Sequence, residues 1–245
     1  MNDPIPQRVA LVTGGAVRVG RAISLGLAGA GYDLVVAYRS SGDAARSTRQ
    51  EVRETGRRCE LVQADLAEPT AADVIADTVR DSFGRLDLLV NSAATFDARP
   101  LLEVDATQWD AVMAVNVRAP HLLVRAAASL LEEARGSVIN IADLAAFQPW
   151  TDRPHHAVSK AALAHLTRIQ ARALAPHVRV NAIAPGSVLR PEGWSEERWL
   201  ETARRAPLRR PGTPQDVVDA VLYLAQANFV TGQILTIDGG RLLEP

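Results

Sequence analysis

Along the chain, short runs built almost wholly from Val, Ile, Leu and Ala alternate with longer stretches in which apolar residues recur every three or four positions. The short runs are RVALVTG (8–14), YDLVVAY (32–38), RCELVQAD (58–65), RLDLLVN (85–91), GSVIN (136–140), VRVNAIA (178–184) and GQILTI (232–237). Most are continuously apolar rather than alternating, so they read as strands buried on both faces. Between them, TAADVIADTVRDSF (70–83) and QWDAVMAVNVRAPHLLVRAAASLLEE (108–133) read as helices. Gly31, Gly56, Gly84 and Gly136 fall where helices should stop before the next strand.

Strand, helix, strand in repetition predicts an α/β chain: a single Rossmann-type, doubly wound parallel sheet of seven strands with helices on both faces. No Gly/Ser linker divides the chain, so residues 1–245 read as one domain. The exception is 186–212, a loop-like stretch holding Trp194 and Trp199. It reads as an excursion over the sheet edge that serves as a substrate lid, with Trp194 as a wall of the substrate site.

Composition narrows the function. The 245 residues are 47% hydrophobic and 22% charged, enough for a large core. The net charge of −1 supplies no field that favours nucleic acid or an anionic membrane. The lone Cys59 allows no internal disulfide, which fits a reducing, cytoplasmic setting, and it reads as a packing residue. The opening MNDPIPQR has no apolar leader, and no apolar run reaches membrane-spanning length. No His, Cys, Asp or Glu cluster has metal-ligand spacing, and no GxSxG elbow is present.

The chemistry concentrates at two places. LVTGGAVRVGRAI follows the first strand and opens a helix, with the spacing Thr13-Gly14-x3-Arg18-x-Gly20. Glycines there let the backbone approach a pyrophosphate, and the helix N-terminus offers oriented N–H groups. The second strand ends VVAYRSSGD, so Arg39 and Ser40 stand where an NAD site places an acid. A guanidinium pairs with a 2′-phosphate in charge-assisted fashion. Arg18 and Arg39 therefore point to NADP(H). The second place is PHHAVSK (154–160), where His156 and Lys160 share a helix face one turn apart.

The ordered set TGGAVRVG, ADL (64–66), VNSAATF (90–96), NVRAP (116–120), VINIADLAA (138–146), SKAAL (159–163), VRVNAIAPGSV (178–188) and FVTGQILTIDGG (229–240) resembles the short-chain dehydrogenase/reductase family over the whole chain. Within it the chain looks most like the pteridine reductases. They share an arginine at the place of Arg18, the Arg39-Ser40 pair, an aspartate at the place of Asp143, and an aromatic at the place of Phe96 that stacks on the pterin ring. The resemblance implies that the cofactor runs along Thr13, Gly14, Arg18, Val19 and Gly20, with Arg39 and Ser40 at the phosphate. Asp65 and Leu66 would meet the adenine. Asn91, Ser92 and Ala93 would follow the cofactor, and Pro185, Gly186 and Val188 would lie by the nicotinamide with Lys160. Asn116 would support a proton relay, and Asp143 would also meet the substrate. A homo-oligomer, tetramer or dimer, is implied too.

One departure is large. The family's proton-transferring tyrosine, four residues before the lysine, is here His156, and Tyr32, Tyr38 and Tyr223 are remote in sequence. Three readings compete. In the first, His156 is the proton donor, with Asp143 offsetting Lys160 in an Asp143–His156–Lys160 relay. In the second, Asp143 directs a water and His156 only positions, since a pterin C=N bond asks less of an acid than a ketone. In the third, the chain binds NADP(H) but barely turns over and has a regulatory or scaffolding role. The resemblance implies most directly an NADPH-dependent oxidoreductase moving hydride to a C=N bond of a pterin or similar small cyclic substrate.

Overall fold

The computed structural model describes residues 7–243; positions 1–6 and the last two residues lie outside it. Seven parallel strands, β1 (Arg8–Thr13), β2 (Tyr32–Tyr38), β3 (Cys59–Gln63), β4 (Leu88–Asn91), β5 (Ser137–Ile141), β6 (Arg179–Pro185) and β7 (Ile234–Ile237), form one sheet. Their order is β3-β2-β1-β4-β5-β6-β7. All seven fall within or beside the runs picked out by hydrophobicity alone.

The continuous apolar runs arise because each strand feeds two cores. Ala10 and Val12 of β1 pack toward α1 (Arg18–Gly29), α2 (Gly42–Glu54) and α9 (Pro214–Gln226). Val9 and Leu11, one residue out of phase, pack with Ile75 and Val79 of α3 (Ala71–Phe83). Leu123 of α5 (Ala119–Ala126) and Leu131 of α6 (Ala128–Ala134) extend that second core. Side chains such as Leu11, Ile75 and Leu131 are wholly buried, each worth about 1.5–3 kcal/mol. Cys59 belongs to the first core, and burial pushes its thiol up to about 12, so it packs rather than reacts.

The expected helix over 108–133 is not continuous. It comprises α4 (Ala106–Met113), a π-helical segment (Ala114–Arg118), α5 and α6. The apolar period runs through all of them, which hides the breaks. The wider turn carries Asn116, and such insertions recur at functional sites. The 186–212 excursion contains its own helix, α8 (Glu196–Arg204). The remaining helix, α7 (Pro154–Leu174), starts on Pro154, whose missing N–H costs nothing in a first turn. Among the described residues no helix is long and apolar enough to cross a membrane.

Candidate active site

β1 and β4 are neighbours, yet the chain passes from β1 outward to β2 and β3 before returning to β4. At such a switch point the loops after the strands part, and ligands bind in the resulting crevice. A cleft of about 980 Å³ lies here.

One wall is the glycine turn. Gly14 has φ 63°, and a Cβ there would stand 3.0 Å from Ala93 Cα; a Cβ on Gly20 would stand 2.2 Å from the Gly14 carbonyl. Arg18 itself has φ 53°, a left-handed conformation that a side-chain-bearing residue rarely takes. Gly14, Arg18, Val19 and Gly20 all line the cleft. Thr13 does not. Its buried Oγ1 accepts from the N–H groups of Ser92 (3.0 Å) and Ala93 (3.1 Å), tying the turn to the loop after β4. Through that tie Ser92 and Ala93 become part of the same wall.

Arg39 and Ser40 stand exposed at the tip of β2, also on the cleft. Asp43, the first acid beyond the strand, pairs with Arg46 one turn on in α2. Asp65 and Leu66 follow β3; the Asp65 carboxylate accepts from Ala67 N at 2.9 Å. This end offers close backbone, exposed guanidiniums and no opposing carboxylate at the β2 tip, which fits a phosphorylated adenosine.

The other end holds the titratable groups. α7 packs against β5 and β6 and puts His156 and Lys160 on the cleft, buried at 2% and 4% exposure respectively. Lys160 Nζ donates to the Ile141 carbonyl at 2.8 Å. Burial pushes its ammonium down to about 8, and the Asp143 carboxylate opposes that shift. Asp143 opens a short 3₁₀ turn (Leu144–Ala146), where its Oδ1 accepts from Ala145 N at 2.9 Å. Its Oδ2 lies 3.5 Å from His156 Nε2. His156 Nδ1 lies 3.4 Å from the Thr95 carbonyl. Both ring nitrogens therefore face acceptors. A neutral imidazole has one N–H for the two, whereas a doubly protonated ring serves both. Both distances exceed those of a well-made hydrogen bond. Catalytic contacts often tighten only when substrate binds.

Asn91 and Asn116 lie behind the cleft wall. Asn91 Nδ2 donates to Asn140 Oδ1 at 2.8 Å under the sheet. Asn116 grips one residue by both backbone groups: Oδ1 accepts from Thr95 N (2.8 Å) and Nδ2 donates to Thr95 O (3.0 Å). It also donates to Ser159 Oγ at 2.9 Å. Its side chain thus fixes the carbonyl that faces His156.

Aromatic rings wall the substrate end. Phe96, 57% exposed, meets His156 edge-on at 4.8 Å. Trp194 lines the cleft beneath the Arg198 guanidinium, 4.0 Å from its ring centre. Trp150 stacks near-parallel to His156 at 6.3 Å, and it and Trp199 also line the cleft. Sequence reading missed Trp150 and Thr95. The one available signal was an aromatic residue in the turn between β5 and α7, at the carboxyl ends of the strands. Pro185, Gly186 and Val188 also line the cleft. A Cβ on Gly186 would stand 3.0 Å from Asp238 Cα, so its backbone too is closely approached.

A family model described as Enoyl-(Acyl carrier protein) reductase matches residues 15–241. The chain belongs to the short-chain dehydrogenase/reductase family. It is 37% identical to an uncharacterized oxidoreductase of Mycobacterium tuberculosis, over 96% of this chain and 92% of that protein. It is 33% identical to the 3-oxoacyl-[acyl-carrier-protein] reductase of a Synechocystis species, over 96% and 97%. Among solved structures it is similar to a blue fluorescent protein from a metagenomic library in complex with NADPH. That similarity has TM-score 0.89 and 34% identity over 96% and 97% of the two chains. It is also similar to acetoin dehydrogenase from Enterobacter cloacae, with TM-score 0.89 and 32% identity over 98% and 97%. The chain is a short-chain oxidoreductase that uses a nicotinamide cofactor.

Proposed function

We propose that the protein is an NADPH-dependent reductase in which an Asp143–His156 pair supplies the proton that a tyrosine supplies elsewhere in the family. The observation that carries this reading is His156 between two acceptors, Asp143 Oδ2 at 3.5 Å and Thr95 O at 3.4 Å, on the cleft that Lys160 also lines.

NADPH in the cleft would lie along Gly14–Gly20, with Arg18, Arg39 and Ser40 at its 2′-phosphate, and would supply a hydride. Asp65, Leu66, Ser92, Ala93, Pro185, Gly186 and Val188 would border it, and Lys160 would hold the nicotinamide ribose. His156 then gives its proton to the substrate atom that receives the bonding electron pair. Asp143 keeps its carboxylate facing Nε2 through that step. Asn116 acts through Thr95, keeping the carbonyl that accepts from Nδ1. The 186–212 segment would close over the substrate.

The substrate class proposed is a flat ring with a C=N bond, a pterin or a similar small cyclic compound. Phe96, Trp150, Trp194 and Trp199 support it, since ring faces and edges recognise flat π-systems. The second reading is a carbonyl substrate, favoured by the relatives named as an oxoacyl-carrier reductase and an acetoin dehydrogenase. The assembly proposed is a homotetramer, on the family resemblance, and the compartment the cytoplasm, on the lone buried cysteine.

The test follows NADPH oxidation with dihydropterins, a β-ketoacyl thioester and acetoin, for the wild type, Asp143→Asn and His156→Phe. Turnover of a dihydropterin by the wild type, with both variants slowed, is expected. Equal rates in all three proteins would sink the relay. Turnover of carbonyl substrates alone would replace the C=N reading. Tight NADPH binding with no consumption would leave a binding protein.

A further inference from the structure

His155, beside His156 at the start of α7, is wholly buried, and neither ring nitrogen makes a hydrogen bond. A buried imidazole without partners is costly, so its surroundings matter. Its Nε2 lies 3.6 Å from Asp97 Oδ2, its polar neighbour across the loop. Asp97 also accepts from Arg99 Nε at 2.8 Å. Arg99 first, and His155 after it, hold the Asp97 carboxyl below the usual range.

Asp97 belongs to the 92–100 segment, which has no regular secondary structure and whose residues are pinned one after another. Thr13 Oγ1 holds Ser92 and Ala93. Asn116 holds Thr95 by both backbone groups. Beyond Thr95, Phe96 is 57% exposed, with the Arg153 guanidinium 4.8 Å from its ring centre. From the start of α7, Arg153 and His156 hold the Phe96 ring, and the approach of His155 to Asp97 adds a polar contact beyond it. Two consecutive histidines of α7 thus face two nearby residues of one loop: His156 faces Thr95 and His155 faces Asp97.

We propose that His155 is a positioning residue: through Asp97 it fixes the distal half of the 92–100 loop, keeping Phe96 edge-on to His156 at the substrate end of the cleft. The cofactor wall at Ser92 and Ala93 has its own anchor in Thr13. Loss of His155 therefore loosens the substrate side and leaves the cofactor side intact. The proposal rests on the reaction proposed above only for its kinetic consequence; the loop's mobility tests it without turnover.

The experiment compares the wild type with His155→Phe, Asp97→Asn and His155→Gln. His155→Phe fills the volume without the donor, and His155→Gln places an amide N–H near the position of Nε2. Hydrogen exchange is followed for the peptide covering 93–100, together with the NADPH Kd and the KM for whichever substrate the panel identifies. Exchange of that peptide should rise about tenfold in His155→Phe and in Asp97→Asn and return toward wild type in His155→Gln. The NADPH Kd should stay within about twofold while KM rises several-fold. Should His155→Phe fail to fold, the half-exposed Asp97→Asn decides by the same measurements. Wild-type loop exchange in any folded variant that breaks the pair overturns the proposal, as does an NADPH Kd that rises in step with KM. If no substrate is consumed, the reaction reading falls while loop exchange still decides this one.

Discussion

Asp143 and His156 meet with Oδ2 and Nε2 3.5 Å apart, and neither depends on the other for its place. Asp143 is set by its own turn, through Ala145 N. His156 is set by helix α7, by the edge of Phe96 and by the face of Trp150. Truncating or neutralising one partner therefore leaves the other in position. Variants at this pair read chemistry rather than collapse.

Asp143→Asn tests this most directly. The amide keeps an oxygen for Ala145 N, so the turn survives, but the charge facing His156 is gone. We expect kcat to fall about a hundredfold, within the usual range for general acid–base groups, with the NADPH Kd unchanged. Steady-state kinetics with a fluorescence titration of NADPH check both halves. A kcat within twofold of wild type would leave Asp143 a turn-former only.

Lys160 makes stability depend on pH. Its folded ammonium is pushed down to about 8 from the usual 10.5, chiefly by burial. Below pH 8 both folded and unfolded chains carry the proton, and the cost of burying the charge is present in full. Between the two values the unfolded chain binds more protons, so stability rises with pH and is complete above the unfolded value. The span is about 3 kcal/mol at 1.36 kcal/mol per unit. Urea unfolding of the cofactor-free protein near pH 7 and near pH 10 should show the rise in wild type relative to Lys160→Met. Parallel profiles for the two would refute it.

Arg18→Gly separates folding from cofactor choice. At φ 53° arginine is strained and glycine is not. Glycine's freedom in the unfolded chain offsets most of that relief. Stability should hold within about 0.5 kcal/mol. The NADPH Kd should rise about tenfold through loss of a charge-assisted contact, while the NADH Kd stays constant. Calorimetric titration with both cofactors checks this. Equal losses for the two would place Arg18 away from the 2′-phosphate.

Much of this was legible in sequence for a simple reason. A parallel sheet covered on both faces turns each strand into an apolar run, so all seven strands stood out. The glycine turn was legible because the close backbone approach at Gly14 and Gly20 leaves no room for a Cβ, and the His156/Lys160 pair because residues four apart share a helix face. What stayed hidden has no local signal. The apolar period of 108–133 continues unbroken through the π-helical segment and the break at Ala127, because each piece buries an apolar face: Val112 of α4, Ala114 and Val115 of the π-helical segment, and Leu123 and Leu131 of α5 and α6. Trp150 reaches His156 only through the turn between β5 and α7. Thr95 contributes a carbonyl, which every residue has, and only Asn116's grip makes that one special.

Gly136 was legible for the wrong reason, and the difference can be measured. Read as a helix stop, it should adopt the left-handed conformation after α6. Instead Arg135 takes that role, at φ 49°. Gly136 is required by space: a Cβ there would lie 2.9 Å from the Asp87 carbonyl and 3.0 Å from that of Leu86. Those carbonyls belong to the backbone entering β4, and Ser137 N already donates to Asp87 O at 2.9 Å. They cannot withdraw without breaking the start of the β4–β5 pairing. Gly136→Ala should therefore destabilise by about 2 kcal/mol, the scale of overpacking a closed site. Arg135→Gly should be neutral or slightly stabilising, since it removes left-handed strain. Urea unfolding of the two variants gives the order. If Arg135→Gly were instead the costlier change, the crowding at Gly136 would not be what holds glycine there.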